Sequence, residues 1–230
     1  MRQLGMFAKF WRAGEVKTRL AAEIGDQRAS EIYRGFLNAL VRRLRSAGDR
    51  RVIAFTPRAN QTDFASLAGG DWSLVPQAVG DLGCRMSHFF HSTLARYNGS
   101  VVLIGSDSPT LPVEYVNRAW ELLREVPAVL GPSRDGGYYL IGMSRPIPCV
   151  FTDIAWGSSE VWEQTVSRLR ESGCAFASLP IWYDVDELDD LRALQAELIE
   201  MGDHDGALCE LHKTIKALLP EMKSGPHSGS

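Results

Sequence analysis

Short apolar runs alternate along the whole chain with stretches whose apolar residues recur every three or four positions. This alternation predicts an α/β domain on a largely parallel sheet. Leu4 to Ala8 predicts a first strand, and after a polar loop Ile32, Phe36, Leu40 and Leu44 predict a helix that Gly48 closes. Arg51 to Thr56 reads as a second strand ended by Pro57, followed by a short helix around Asp63 to Leu67 and a strand near Leu74. A longer helix, from about Leu82 to Tyr97, would bury Met86, Phe89, Phe90, Thr93, Leu94 and Tyr97. Val101-Val102-Leu103-Ile104 is apolar on both faces, as a central parallel strand must be.

Pro112 then opens a helix at its first turn, where a missing N–H costs little. Ala128 to Leu130 and Tyr138 to Ile141 read as strands, Ser158 to Arg170 as a helix, and Ala175 to Leu179 as a strand. Helix resumes after Asp186, and a last one runs from about Asp203 to Leu219, where Pro220 stops it. Residues 223–230 carry too little apolar content to pack, so the expected organisation is one domain over 1–222 and a flexible tail.

With 230 residues, 45% apolar and 23% charged, the chain falls among ordinary globular proteins, which excludes disordered and collagen-like classes. No apolar run approaches the ~20 residues of a membrane span, and Met1 to Gly5 lacks a signal-peptide core, so the expected location is the cytoplasm. The spacing of Cys84, Cys149, Cys174 and Cys209 matches no zinc or disulfide framework and predicts reduced, buried thiols. A net charge of −3 argues against a nucleic-acid partner. The charge is uneven, however: residues 1–60 hold 13 Lys/Arg against 5 Asp/Glu, and residues 184–210 hold 10 Asp/Glu against one Arg. A basic N-terminal third suits a phosphate-bearing ligand, and an acidic C-terminal segment can lend a carboxylate to a metal.

In an open α/β sheet the ligand lies beyond the carboxyl ends of the strands, so the loops there carry the candidate chemistry. The loop after the first strand holds Lys9, Arg12, Gly14, Lys17 and Arg19, and Lys17 and Arg19 can grip a diphosphate or triphosphate or stand as solvated charges. Asp107, after the central strand, is either a cap or a ligand for a hard cation that needs a second carboxylate. Asp184 or Asp186 can supply it, although Asp186 can equally cap the helix that follows. Asp135-Gly136-Gly137-Tyr138-Tyr139 combines a glycine turn with tyrosines able to line a sugar-sized pocket. His88 and His91 lack a third ligand and read as helix-surface or polar-core residues. No nucleophile elbow, P-loop or Gly-x-Gly-x-x-Gly fingerprint is present.

Several segments occur together in one order: Phe7-Ala8-Lys9, Val16 to Leu20, Gly80-Asp81-Leu82-Gly83-Cys84-Arg85-Met86, Gly105 to Pro112, Gly131-Pro132 with Asp135 to Gly142, and Asp184-Val185-Asp186. In this the chain resembles the bacterial radical-SAM- and selenodomain-associated transferase family of the nucleotide-diphospho-sugar transferase superfamily, over residues 4 to about 195. It is similar, more distantly, to phospholactate guanylyltransferases and molybdenum-cofactor nucleotidyltransferases. The resemblance implies a single GT-A-like domain, a mixed, mostly parallel sheet flanked by helices, and a transferase using a nucleotide-activated donor with Mg²⁺ or Mn²⁺. It implies Asp107 and Asp186 as metal ligands, with Asp184 in reserve, and Lys9, Lys17, Arg19, Asp81 and Arg85 at the donor phosphates. On the acceptor side it implies Asp135, Gly136, Gly137, Tyr138 and Trp156. The chain departs from the family pattern at Ala13-Gly14-Glu15 and at Trp156-Gly157-Ser158.

The resemblance leads with glycosyl transfer from a nucleotide sugar to a small-molecule acceptor. Nucleotidyl transfer from a nucleoside triphosphate to a phosphorylated acceptor is the alternative; the two cations favour it, with Arg134 available to the acceptor's anion, while the single glycine of the first loop counts against it. A non-catalytic nucleotide-binding module is the third reading. Asp107 and Asp186 are expected to face one another with Cγ atoms within about 10 Å.

Overall fold

The computed structural model of the chain describes residues 1–219. The expected tail and the stop at Pro220 lie outside the described residues. The elements run β1 (Arg2–Lys9), α1 (Thr18–Ile24), α2 (Asp26–Arg43), β2 (Arg50–Thr56), α3 (Gln61–Ala68), β3 (Ser73–Pro76), α4 (Leu82–Arg96) and β4 (Ser100–Ile104). They continue with α5 (Val113–Leu122), β5 (Ala128–Pro132), β6 (Tyr138–Met143), α6 (Val161–Glu171), β7 (Phe176–Ser178), α7 (Leu188–Met201) and α8 (Gly206–Leu218). The expected α/β class and mixed sheet are what the chain forms.

Seven strands make one sheet in the order β3-β2-β1-β4-β6-β5-β7. β1 pairs in parallel with β2 and β4, β2 with β3, and β5 with β7, while β6 is antiparallel to both β4 and β5. Alternate residues of the central strands feed opposite cores, as the period of two requires. Val102 and Ile104 join Leu4, Met6, Phe36 and Leu40 on one face, and Val101 and Leu103 join Met86, Phe89 and Leu169 on the other. This double burial explains the unbroken apolar run of β4. β1 and β4 lie side by side, so the loops leaving them emerge together where the connections diverge, and this switch point opens the cleft described below.

Four expectations change. α6 starts at Val161 rather than Ser158, because Ser158 and Ser159 form a turn packed on the Gly136 backbone. α8 starts at Gly206, since the Asp205 carboxylate accepts the Ala207 and Leu208 N–H groups at 2.9 and 3.3 Å and so caps the helix there. Leu94 on α4 and Tyr97, just past its end at Arg96, are only half-buried. The four thiols are free, but only Cys174 is buried, while Cys84 is exposed and Cys149 and Cys209 are half-buried. Among the described residues no helix is long and apolar enough to cross a membrane.

Candidate active site

The loop from β1 to α1 is anchored by Val16, which is buried, and turns at Lys17, whose backbone is left-handed with φ 48° and ψ 45°. That conformation is costly for a residue with a Cβ and here coincides with an inward side chain. The Lys17 side chain is only 3% exposed, whereas its two carboxylate partners are each 41% exposed. Its ammonium contacts Asp107 and lies 2.7 Å from Asp186, with the rings of Tyr33 and Phe36 at 5.9 and 5.7 Å. Burial pulls the Lys17 pKa down, but the Asp107 and Asp186 charges outweigh it and hold the pKa above the ordinary lysine value. The two carboxylates therefore face each other across one nitrogen atom.

The β4 loop is fixed from both sides. Tyr33 Oη lies 2.8 Å from Ser106 Oγ and accepts the Lys9 N–H at 3.2 Å. Burial, followed by repulsion from Asp107, pushes the Tyr33 phenol up to about 12. Ser108 Oγ donates to Asp184 at 2.5 Å, and the Val185 N–H donates to the Asp107 carbonyl at 2.9 Å. With Val185 fully buried, the Asp184-Val185-Asp186 segment is strapped beside the Asp107 loop. Burial raises the Asp184 pKa, the Ser108 hydrogen bond lowers it, and the charges of Asp107, Asp135 and Asp186 raise it again, leaving it at about 6. Glu187, rather than Asp186, caps α7 in a capping box with Asp190, which frees the Asp186 side chain for the cleft.

Two cavities meet at this cluster and share Phe7, Leu82, Ser106, Asp107 and Asp186. The first, about 300 Å³, lies over the ends of β1 and β2 and is lined by Lys9, Lys17, Thr56, Gln77 and Arg85. Lys9 Nζ donates to the Glu15 carbonyl at 2.7 Å, and Arg85 donates to Gln77 Oε1 at 2.9 Å. The second, about 550 Å³, is lined by Asp135, Gly137, Tyr138, Trp156, Ser158 and Asp184, with Arg19 also at its wall. The Asp135 carboxylate accepts from the Ser133 hydroxyl and, at 2.9 Å, from the Gly137 N–H. Gly136 has φ +88°, and a Cβ there would drive into the Ser159 backbone. Trp156 approaches α4 so closely that a Cβ on Gly83 would lie 2.6 Å from its Nε1.

The structure thus gathers Asp107, Asp184, Asp186, Lys17, Lys9 and Arg85 with the Asp135 turn and Trp156 around one cleft. It does not pair Lys17 with Arg19: Lys17 turns inward, and Arg19 is 69% exposed, 3.7 Å from Glu187. Lys17 is therefore not the solvated loop charge its polar neighbours suggest. Asp81 lines neither cavity, because its carboxylate caps α4 by accepting the Cys84 N–H at 2.8 Å. Gly136 shapes the turn, and Gly137 rather than Gly136 reaches the cavity. Arg134 packs over the Tyr183 ring at 5.5 Å and is not among the residues lining the second cavity. His88 and His91 are exposed on α4. Sequence reasoning missed Tyr33, Ser106 and Ser108; the two serines flank Asp107, and that bracketing was the available signal.

A family model described as an uncharacterised protein conserved in bacteria, DUF2064, matches residues 40–158. The chain belongs to that family. No curated protein matches it in sequence. Among solved structures it is similar to a protein of Desulfovibrio desulfuricans G20 provisionally named a nucleotide-diphospho-sugar transferase, with TM-score 0.83 and 31% identity over 94% of this chain and 97% of that one. A cytidylyltransferase from Leptospira borgpetersenii shares the fold with TM-score 0.56 at 12% identity over 98% and 99% of the two chains. The inositol-1-phosphate CTP transferase of T. maritima does so with TM-score 0.53 at 15% identity over 98% of each. The fold is that of the nucleotide-diphospho-sugar transferases.

Proposed function

We propose that this protein is a metal-dependent transferase that moves a glycosyl group from a nucleotide sugar to a hydroxyl of a small molecule. The observation that carries this reading is the convergence of Asp107 and Asp186 on one point where two cavities meet, one holding Lys9 and Arg85 and the other Asp135 and Asp184. The name given to the Desulfovibrio relative supports it. The motifs from Phe7 to Asp186 set out above support, within this reading, a place in the radical-SAM- and selenodomain-associated branch.

The residues present fit a divalent cation. Two half-exposed carboxylates on separate segments already enclose a positive charge, and a third, Asp184, stands beside them. Mg²⁺ and Mn²⁺ are commonly held by one or two carboxylates together with substrate phosphates, which is the donor set this cluster offers. Asp107 and Asp186 would hold the ion, which supplies charge stabilisation for a departing nucleoside diphosphate. Lys9, Lys17 and Arg85 place positive charge along the first cavity, where phosphates would lie. Asp135, Tyr138 and Trp156 bound the space for the transferred group and acceptor, and the Asp135 and Asp184 carboxylates can accept hydrogen bonds from hydroxyls. Tyr33 and Ser106 keep the Asp107 loop in register with β1.

Nucleotidyl transfer is the second reading, favoured by the three cations of the first cavity, which equally suit a triphosphate. Thermal-shift screening of nucleoside triphosphates and nucleotide sugars, with and without Mg²⁺ or Mn²⁺, identifies the donor because stabilisation grows with ligand over Kd. Following both products with that donor separates the chemistries. Pyrophosphate release without sugar-nucleotide turnover would replace the lead reading, and neither product would leave a binding module. Asp107→Asn should cut turnover by about 10²-fold or more while the fold survives, as removal of a group acting on transition-state charge does.

A further inference from the structure

Resting on the reading of the second cavity as the acceptor side, we infer that the acceptor is a hydroxyl-rich, sugar-like molecule that carries no phosphate or carboxylate, and that an ammonium group on it is favoured. The charge of the cavity's walls is the basis. Lys17, and any cation between Asp107 and Asp186, answers those two carboxylates, whereas Asp135 and Asp184 line the second cavity with no ion-pair partner among the described residues. The Asp135 carboxylate is held by the neutral Ser133 hydroxyl and Gly137 N–H, and that of Asp184 by the neutral Ser108 hydroxyl. Arg19, the one cation on this wall among the described residues, is mostly exposed and faces Glu187. Arg134, which could have met an anion, lies over Tyr183 instead.

The remaining walls suit a sugar ring. Tyr138 and Trp156 meet edge to face at 6.5 Å, and the close approach of Gly83 fixes the indole in place. Aromatic faces beside carboxylates accept the C–H face and hydroxyls of a sugar and attract an ammonium. An anion several ångströms from two carboxylates in a partly enclosed site binds about ten-fold more weakly, or worse, than its neutral analogue.

The test is saturation-transfer NMR on the full chain with Mg²⁺, using glucose, glucosamine and glucose 6-phosphate as matched probes. The expected ranking is glucosamine, then glucose, with glucose 6-phosphate at least about ten-fold weaker. Asp135→Asn should narrow the gap between glucose and its phosphate, and Trp156→Ala should weaken all three. Glucose 6-phosphate binding as tightly as glucose, or no binding by either uncharged or amino probe, would overturn the inference, and the ranking on the parent protein decides it even if a variant fails to fold. Nucleotide-induced stabilisation of the same sample tests the donor separately. A sample that binds nucleotide but prefers the phosphorylated probe loses this inference alone, and one that binds no nucleotide loses the functional reading.

Discussion

The two halves of the cleft share a boundary but are built from different materials. The first rests on the parallel strand ends of β1 and β2, where the ladder itself sets the positions of Ala8, Lys9 and Thr56. The second is walled mainly by the Asp135 turn between β5 and β6, the Trp156 to Ser159 segment and the 184–186 strap, with Phe7, Tyr138 and Tyr139 contributed by the sheet. The first mixes Lys9, Lys17 and Arg85 with Glu15, Asp107 and Asp186, whereas the second is acidic and aromatic. The difference teaches that strand ends fix one half of the cleft through the ladder itself, while a glycine turn packed on a neighbouring loop shapes the other.

This contrast can be broken at the clamp. Gly136→Ala forces a Cβ into the Ser159 backbone at φ +88°, and neither side is a flexible side-chain end that could move aside. The expected cost is about 3 kcal/mol, from overpacking added to a left-handed backbone. Denaturant unfolding measures it. The comparison further requires that any folded variant lose probe binding in the second cavity and keep nucleotide binding in the first. Loss of both in a folded variant would show the halves to be one unit.

The junction offers the next test. Lys17→Met removes a buried cation and leaves Asp107 and Asp186 without it, so metal-free stability should fall by about 2 kcal/mol, less than for a fully buried pair because both carboxylates are partly solvated. The folded pKa lies above the ordinary lysine value, so this stabilisation is fully present below the unfolded pKa and is lost only as pH rises through the folded one. A measurement at pH 7 to 8 therefore captures it. Manganese, titrated without nucleotide, should bind the variant several-fold more tightly than the parent, since it no longer competes with an ammonium. Equal manganese affinity would show that the metal does not use the space between these carboxylates.

The fold was legible wherever burial left a periodic mark. The run Val101 to Ile104, the stripe through Ile32, Phe36 and Leu40, and the glycine turn at Gly136 all declare their environments locally. Lys17 could not be read in that way. Its neighbours Glu15, Thr18 and Arg19 are polar, and the partners that draw it inward are distant in the chain, Asp107 on the loop after β4 and Asp186 169 positions away. The sequence leaves Asp186 open between cleft carboxylate and helix cap, because Asp186 and Glu187 are both acceptable cap chemistries, and the structure puts the capping box at Glu187. The packing of Arg134 over the Tyr183 ring joins positions far apart in the chain and leaves no local mark. The candidate carboxylates were visible as acids after strands, but their shared point of convergence is a property of the loops' packing.

The smallest effect sharpens the acidic side of the comparison. Asp184 carries a pKa of about 6, raised first by burial and then by Asp107, Asp135 and Asp186. Between the ordinary carboxylate value and about 6, the folded chain holds a proton that the unfolded chain has released, so ionising Asp184 at higher pH works against folding. Asn at this position keeps an oxygen to accept the Ser108 hydroxyl and removes the charge. Asp184→Asn, in chelator-treated buffer, should therefore be more stable than the parent at pH 8 by about 1 to 2 kcal/mol, below the limit set by the shift because solvent reaches the cavity. The advantage should shrink as pH falls from about 6 toward 4 and vanish below that, where Asp184 is neutral in both states. Thermal melts of the two proteins across pH 4 to 8 measure it. A constant difference across that range would mean that Asp184 titrates normally and that the second half of the cleft is less acidic than its walls imply.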